Sequence, residues 1–417
     1  MAMRYALKAL GKDTIVVIPA CCWTVLEGEF PYTSLRVPLL HTAFETAASA
    51  SSGVRAALKA RGKDDVTVMA WAGDGGTFDI GMQALSGAVE RNEDFIYVCY
   101  DNEGYMNCLS ESSLVMTKEG LKKITEIKTG DEVYAFDQST YRPVLKKCTG
   151  VFDNGIRDVY ELQTLHHSIK ATGNHPFLVL QRNGRGKTNT LVWKTLEELK
   201  AGDEVVIQKN MDERQSFGFD FSKIKSIDYI GKEQTFDLRV EGEHNFIADG
   251  IVVHNTGIQR SSSTPYGAWT TTTPVDAFEK AHKKNMVDIM VAHGIPYTAT
   301  ACIAYPEDLI RKMKKAKEIR GAKFIHILAP CPSGWRFASH ETVKLARLAV
   351  ETNVFPLYEV ECGKYTISRK PKKKPARDYL ALQGRFRHLS DEVAAEIQAK
   401  VDENWEKLLR KERESNE

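Results

Sequence analysis

The chain has no long apolar run. None of its 417 residues falls in a stretch approaching the roughly 20 apolar residues that cross a bilayer, which argues against a helical membrane span. Charge of one sign is also missing: 57 Lys and Arg stand against 55 Asp and Glu, so nothing draws the chain generally to nucleic acid or an anionic membrane. The first residues lack the pattern of an export signal. Cysteine is sparse and scattered: Cys21, Cys22, Cys99, Cys108, Cys148, Cys302, Cys331 and Cys362 make no compact disulfide framework. They read as thiols, nucleophiles or metal ligands in a reducing cytoplasm. The length allows two or three domains with proper cores.

What is present comes in two rhythms. Short apolar runs at Thr14–Ile18, Val66–Trp71 and Phe95–Tyr100 alternate with helical patterns, among them residues 42–61, and each run ends in a polar or glycine-rich loop. That alternation predicts an α/β domain with a parallel sheet. It resumes after Thr256, with helices expected over 275–293, 306–320 and 340–352, a strand at Lys323–Leu328 and an apolar run at Phe355–Val360. The 306–320 helix is basic and expected at the surface. The charged tail from Asp391 predicts an exposed amphipathic helix suited to packing on another subunit. Residues 1–10 read as a helix with no Ser, Thr, Asp or Asn cap, as if a segment preceded it.

Between Cys108 and Asn255 the pattern is short strands and turns. Lys128-Thr129-Gly130-Asp131-Glu132-Val133 is echoed by Lys200-Ala201-Gly202-Asp203-Glu204-Val205, which predicts a pseudo-repeat in an all-β module of 148 residues. Residues 182–189 and 212–222 read as loops. The edges of this segment carry chemistry. The Cys108 thiol can attack the Asn107 carbonyl and turn the amide into a thioester. The Thr256 hydroxyl can take over the acyl group, Asn255 can cyclise onto its own carbonyl, and an acyl shift then leaves Asn107 joined to Thr256. Thr172 and His175 are suited to polarise and protonate the first amide, Asp237 to serve the nucleophile exchange, and His244 and His254 to assist the Asn255 step. A lone His-Asn pair would mean nothing, and Cys108 alone would read as a buried thiol. The blocks in order carry the reading.

These blocks (Cys108-Leu109, Thr172 to His175, Phe236-Asp237-Leu238 to His244-Asn245-Phe246, and His254-Asn255-Thr256) resemble the inteins. The resemblance implies a horseshoe-like all-β fold of the Hint type and a minimal form without an endonuclease. It divides the chain into residues 1–107, 108–255 and 256–417.

With the insert removed, Gly73-Asp74-Gly75 follows one strand and Asp101-Asn102-Glu103-Gly104-Tyr105-Met106-Asn107-Thr256-Gly257-Ile258-Gln259 follows the next. A Gly-Asp-Gly with an Asn about 28 residues on suits a Mg²⁺-diphosphate site, because magnesium takes hard oxygens and shares them with phosphate. This string, with Ser261–Ala268, Ala329–Trp335 and Leu382–Phe386, resembles the β subunits of 2-oxoacid:ferredoxin oxidoreductases of the pyruvate synthase type. The resemblance implies a thiamine-diphosphate-binding fold, with Asp74, Asn102 and the Gly104 carbonyl on Mg²⁺ and Asn107 against the cofactor. It implies Cys22 and Cys331 as two ligands of a [4Fe–4S] cluster whose other two, in a Cys-x-x-Cys segment, are missing from this chain. It further implies coenzyme A as co-substrate, ferredoxin as acceptor, and α, γ and δ partner subunits. Branched 2-oxoacids or 2-oxoglutarate remain alternative substrates, and a splicing-dead assembly subunit an alternative role. Cys99, Cys302 and Cys362 are expected to be packing residues in strands. The Lys372-Lys373-Lys374 run reads as a solvated loop or as a contact for ferredoxin or a coenzyme A phosphate.

Overall fold

Alternate residues of four strands point into two different cores. Val16, Ile18, Met69, Trp71, Ile96, Val98, Ile325 and Ile327 belong to one apolar cluster. Val17, Val68, Ala70, Ala72, Tyr97, Cys99 and Phe324 belong to the other. A strand apolar on both faces must be covered on both, the usual condition of a parallel sheet. The computed structural model describes residues 1–23, 33, 35–106, 109–173, 175–183, 188–211, 216–243, 245–254, 258–270 and 278–417. Two units separate by contact: residues 1–104, 260–269 and 275–417 form one, and 105–259 with 270–274 the other.

In the first unit, β1 (Thr14–Pro19), β2 (Leu39–Thr42), β3 (Thr67–Gly73) and β4 (Ile96–Asp101) precede the insert. β5 (Tyr297–Cys302), β6 (Lys323–Leu328), β7 (Tyr358–Glu361) and β8 (Lys364–Ile367) follow it. The sheet order is β2-β1-β3-β4-β6-β5-β7-β8, parallel except at β7 and β8. β4 pairs directly with β6, so strands from either side of the insert share one sheet. Helices α1 (Ala2–Leu10), α2 (Ala47–Ala60), α3 (Met82–Glu90), α4 (Met286–Ala292), α5 (Pro306–Glu318), α6 (Thr342–Glu351), α7 (Ala376–Leu380) and α8 (Asp391–Glu414) complete it. Among the described residues no helix is long and apolar enough to cross a membrane.

Several expectations are corrected. The helix expected from 275 begins only at Met286, capped by Asn285, whose side chain accepts from Asp288 N. Residues 278–285 are not helical, and 271–277 lie outside the described residues. The charged tail is a helix, but Trp405, Leu408 and Leu409 join the second core of their own unit. Cys362 is exposed, with φ 47, in the turn joining β7 to β8 rather than packed in a strand.

α5 is less of a surface helix than its charge suggests, because Leu309, Lys312, Met313 and Ala316 are buried. Lys312 is 0% exposed, and its Nζ donates to Asp308 Oδ2 at 2.7 Å and Thr300 O at 2.8 Å. Burial outweighs these partners and pulls its pKa from 10.5 down to about 8. The folded value lies below the unfolded one, so the unfolded chain binds the extra proton and stability rises with pH between about 8 and 10.5. Lys312→Met is expected to lose that rise with pH. Urea midpoints at pH 7 and 9.5 measure this, and identical midpoint changes in both proteins would sink it.

The second unit is antiparallel throughout its described ladders. Thirteen strands form one system, dominated by the long pair Arg142–Gln163 and Ser226–Val240. The sequence echo is a structural one. Gly130 and Gly202 have φ 105 and 96, and Lys128 N and Lys200 N donate to Asp131 and Asp203 carboxylates at 3.0 and 3.2 Å. Gly130 N and Gly202 N reach Cys148 O and Ile224 O at 2.8 and 2.9 Å. Positive φ at these turns is where glycine is required. Ser216–Lys223, expected as loop, is a strand paired along its whole length with Glu204–Met211. Residues 184–187 and 212–215 lie outside the described residues.

Candidate functional site

The first candidate site stands at the ends of β3 and β4. Asp74 follows β3 and is 2% exposed; Gly75 opens the wide π-helical turn Gly75–Asp79. Ser261 Oγ and Ser263 Oγ donate to Asp74 Oδ2 at 2.6 and 2.7 Å, which leaves Oδ1 turned the other way. After β4, Trp335 Nε1 donates to Asn102 O at 2.7 Å and Thr264 Oγ1 to Glu103 O at 3.0 Å, fixing the backbone of the loop. Asn102 Nδ2 points at Cys22 Sγ, 3.3 Å away, so its Oδ1 faces Gly104 O and Asp74 Oδ1, each at 2.9 Å. Three oxygens meeting at this spacing need a proton or a cation among them. Rotating the amide supplies two N–H donors. A divalent ion supplies the other solution, since neighbouring ligands at 2.0–2.1 Å around octahedral Mg²⁺ lie about 2.9 Å apart.

Charge around the loop is buried and paired. Glu103 sits at φ 62, a left-handed conformation unusual outside glycine, asparagine and aspartate. Lys283 Nζ at 2.9 Å and Arg385 at 2.5 Å hold its carboxylate there. Lys283 also contacts Asp101 at 2.5 Å, and His326 Nε2 lies 2.6 Å from the same carboxylate. Burial works against the Asp101 charge, but Lys283 and His326 hold its pKa well below the usual carboxylate range. Asp74 goes the other way: burial, then the Asp101 charge, pushes it up to about 7 against the pull of the two serines. A cavity of about 430 Å³ opens beside Glu103, Lys283 and His326.

Cys21, Cys22 and Cys331 gather near Tyr100. Burial first, then Cys22, Cys331 and Cys21, raises the Tyr100 phenol well above its ordinary value. Cys331 lies half-buried at the start of the short helical turn Pro332–Trp335. Among the described residues no three His, Cys, Asp or Glu side chains are grouped to hold a metal ion. Two thiols are half the usual ligand set of an iron–sulfur cluster.

The second candidate site lies in the antiparallel unit. Asn107, Cys108, His244, Asn255 and Thr256 lie outside the described residues, but their neighbours are ordered by strand register. Leu109 pairs with both Ala171 and Phe236, so Thr172 and Asp237 each come one residue after a partner of Leu109. At the other end Val253 pairs with Phe177 and His254 with Asn245. The turn Thr172–His175 thus connects the strand beside the first described residue of the insert to the strand beside its last. His175 N donates to Thr172 O at 2.9 Å, and Glu197 N to Gly173 O at 2.7 Å. A Cβ on Gly173 would lie 2.3 Å from Glu197 Oε1, so a larger residue there would have to displace the Glu197 side chain. His175 and Asp237 are fully buried, with Asp237 Oδ1 accepting from Leu238 N at 2.7 Å. His254 is half-buried, edge-on to Trp193 at 4.7 Å between ring centres. Asn245 brackets Phe136 from the buried side, accepting from its N at 2.7 Å and donating to its O at 2.9 Å.

Comparison with known proteins gives both halves a relative. The intein splicing domain family matches residues 114–255, and the C-terminal thiamine pyrophosphate-binding domain of thiamine pyrophosphate enzymes matches residues 23–133. The ketoisovalerate oxidoreductase subunit VorB of Pyrococcus furiosus is 36% identical, over 98% of this chain and 87% of that protein. The chain belongs to the VorB and PorB family of oxidoreductase subunits. The pyruvate synthase subunit PorB of Methanothermobacter thermautotrophicus is 35% identical, over 98% of this chain and 92% of that one. The solved structure of a DnaB intein from Synechocystis is 31% identical over 36% of this chain and 98% of its own, with a TM-score of 0.30. The family member described here therefore carries an intein splicing domain within its own sequence.

Sequence reasoning did not single out Ser261, Ser263, Glu103, Lys283, Arg385 or His326 as site residues. The serines were visible as part of a family-like string, but nothing local to Lys283 or Arg385 signals a partner 180 or 282 residues away.

Proposed function

We propose that the chain is a self-splicing precursor, and that its ligated outer sequence is the thiamine-diphosphate-binding β subunit of a 2-oxoacid:ferredoxin oxidoreductase. The observation that carries the second half is the convergence of Asp74 Oδ1, Gly104 O and the Asn102 side-chain amide, which lies 2.9 Å from both and turns its oxygen to them when a cation stands between. In this reading those three oxygens hold Mg²⁺ against the diphosphate, with Gly73 and Gly75 beside it and Asn107 near the reacting centre. Ser261 and Ser263 orient the carboxylate, and Lys283 and Arg385 hold the loop. Thiamine diphosphate, when bound, supplies the stabilised carbanion that decarboxylation requires. Cys22 and Cys331 would furnish two thiolates of a [4Fe–4S] cluster. Coenzyme A, ferredoxin and α, γ and δ subunits are the remaining participants, in the cytoplasm.

For splicing, residues 108–255 are the excised segment. The supporting observation is register: Thr172 and Asp237 each follow a strand partner of Leu109, the residue after Cys108, and His175 N is hydrogen-bonded to Thr172 O. His175 protonates the departing nitrogen of the Asn107–Cys108 amide and Thr172 polarises its carbonyl. Asp237 serves the exchange onto Thr256, and His244 and His254 assist cyclisation of Asn255.

Pyruvate, oxidised to acetyl-CoA and CO₂, is the substrate we assign. A branched 2-oxoacid is the second reading, favoured by the identity of the ketoisovalerate subunit, 36% against 35% for pyruvate synthase. The ligated product reassembled with its partner subunits and coenzyme A is expected to reduce ferredoxin at least about tenfold more efficiently with pyruvate than with 2-oxoisovalerate, a difference of about 1.4 kcal/mol in transition-state binding. Equal or reversed kcat/KM would remove the pyruvate assignment.

A further inference from the structure

Just outside the insert, Tyr105–Met106 and Ile258–Gln259 form a two-stranded antiparallel ribbon, with Met106 opposite Ile258 and Tyr105 opposite Gln259. These four residues remain in the protein after excision, yet before it they bracket both reacting bonds. We propose that this ribbon is a splicing clamp contributed by the host sequence, and that it already has the register of the hairpin in the ligated protein. The proposal rests on the splicing reading above.

Two observations carry it. Each junction is a short span between two fixed points: Met106 to Leu109 encloses Asn107 and Cys108, and His254 to Ile258 encloses residues 255–257. The inner points are held by the insert's sheet and the outer points by the ribbon. Opposed residues of an antiparallel pair stand about 4.5–5.5 Å apart at Cα. The acyl donor and its acceptor are therefore tethered from both sides, the condition under which an intramolecular attack gains most. In the exchange, Thr256 Oγ forms a bond to the Asn107 carbonyl carbon, the bond from that carbon to Cys108 Sγ breaks, and the thiol takes the proton that the hydroxyl loses. The reaction stays within the span that the clamp sets.

The second observation is the length of the connection after ligation. Only Asn107, Thr256 and Gly257 then join Met106 to Ile258. Three-residue hairpin loops commonly end in a residue of left-handed conformation, where glycine is favoured. The sequence supplies glycine at that third position, so excision closes the ribbon without any change of register.

The test compares ligation with thiol-induced cleavage after Asn107, which needs the first acyl shift but not the exchange. Hydrogen-bonded and non-hydrogen-bonded pairs alternate along an antiparallel ladder, so one of Met106→Pro and Gln259→Pro must remove a ladder N–H. That variant is expected to ligate at least about tenfold more slowly, while its thiol-induced cleavage stays within about twofold of the parent. A second variant, with a five-residue Gly/Ser spacer between Gly257 and Ile258, keeps the ribbon but uncouples it from the junction. It should show the same selective loss, and it carries the test if a proline also lowers cleavage. Ligation within twofold of the parent in all three variants overturns the clamp. A parent chain that never ligates overturns instead the splicing reading on which the clamp rests, so the two failures are distinguishable.

Discussion

Cys108→Ala is expected to leave the full 417-residue chain intact, where the parent yields a 148-residue insert and a 269-residue ligated protein. The effect should be complete within detection, because without the thioester the Thr256 hydroxyl meets an unactivated amide. Effective molarities of up to about 10⁵–10⁸ M for positioned intramolecular nucleophiles show how much is forfeited. Asn255→Ala should stop the reaction later. The acyl group can still move from Cys108 to Thr256, but the insert is not released, and a branched chain of parental mass accumulates. His175→Ala should slow the first step by about 10²–10⁴, the usual contribution of a positioned acid–base group. Intact mass and denaturing electrophoresis over time separate these species. A Cys108→Ala chain that still ligates would rule out the scheme.

Asp74→Asn should abolish saturable Mg²⁺-thiamine diphosphate binding by the ligated protein, with at least about a hundredfold loss of affinity. Groups one shell further from a metal already contribute about 10–100-fold, so a direct ligand should exceed that. Ser261→Ala with Ser263→Ala tests the outer range, since both hydroxyls bond the oxygen that does not face Asn102 and Gly104. The change to Asn is isosteric and removes a buried charge, so the melting temperature of the unliganded protein is expected not to fall. Titration calorimetry at fixed Mg²⁺ reads the loss. Parental affinity in Asp74→Asn would dismiss this oxygen cluster as the metal site.

The parts of the fold that sequence made legible are those with strong local periodicity. The runs at Thr14–Pro19, Thr67–Gly73, Ile96–Asp101 and Lys323–Leu328 are apolar on both faces, and only a doubly covered sheet accommodates that. The paired Gly-Asp turns were legible because a left-handed residue demands glycine. Ser216–Lys223 was not recognised although Phe217, Phe219 and Phe221 alternate, because their polar neighbours resemble loop composition. The late start of α4 was signalled by Asn285 and Asp288, a capping pair within a stretch that otherwise reads as continuous helix. Lys283 and Lys284 pass the helix-propensity test but are claimed elsewhere, by Asp101, Glu103 and the Phe78 carbonyl. Of the first candidate site, Asp74 and Asn102 stood out because glycines and hard oxygens recur at a telling interval, and Gly104 came only with the family resemblance. The clamp on Glu103 did not, since a left-handed backbone angle and its distant ion partners leave no mark on neighbouring residues.

The pairing of Met106 with Ile258 also bears on how the host tolerates its guest. An unstructured insertion of 148 residues would burden folding with a loop-closure entropy of about 4 kcal/mol beyond a constant term. Because Met106 and Ile258 are already paired on either side of the guest, the host meets a connection no longer, in effect, than the three residues that will replace it. Pairing β4 with β6 then requires little long-range search, and the unspliced chain can reach the host topology before any bond is broken.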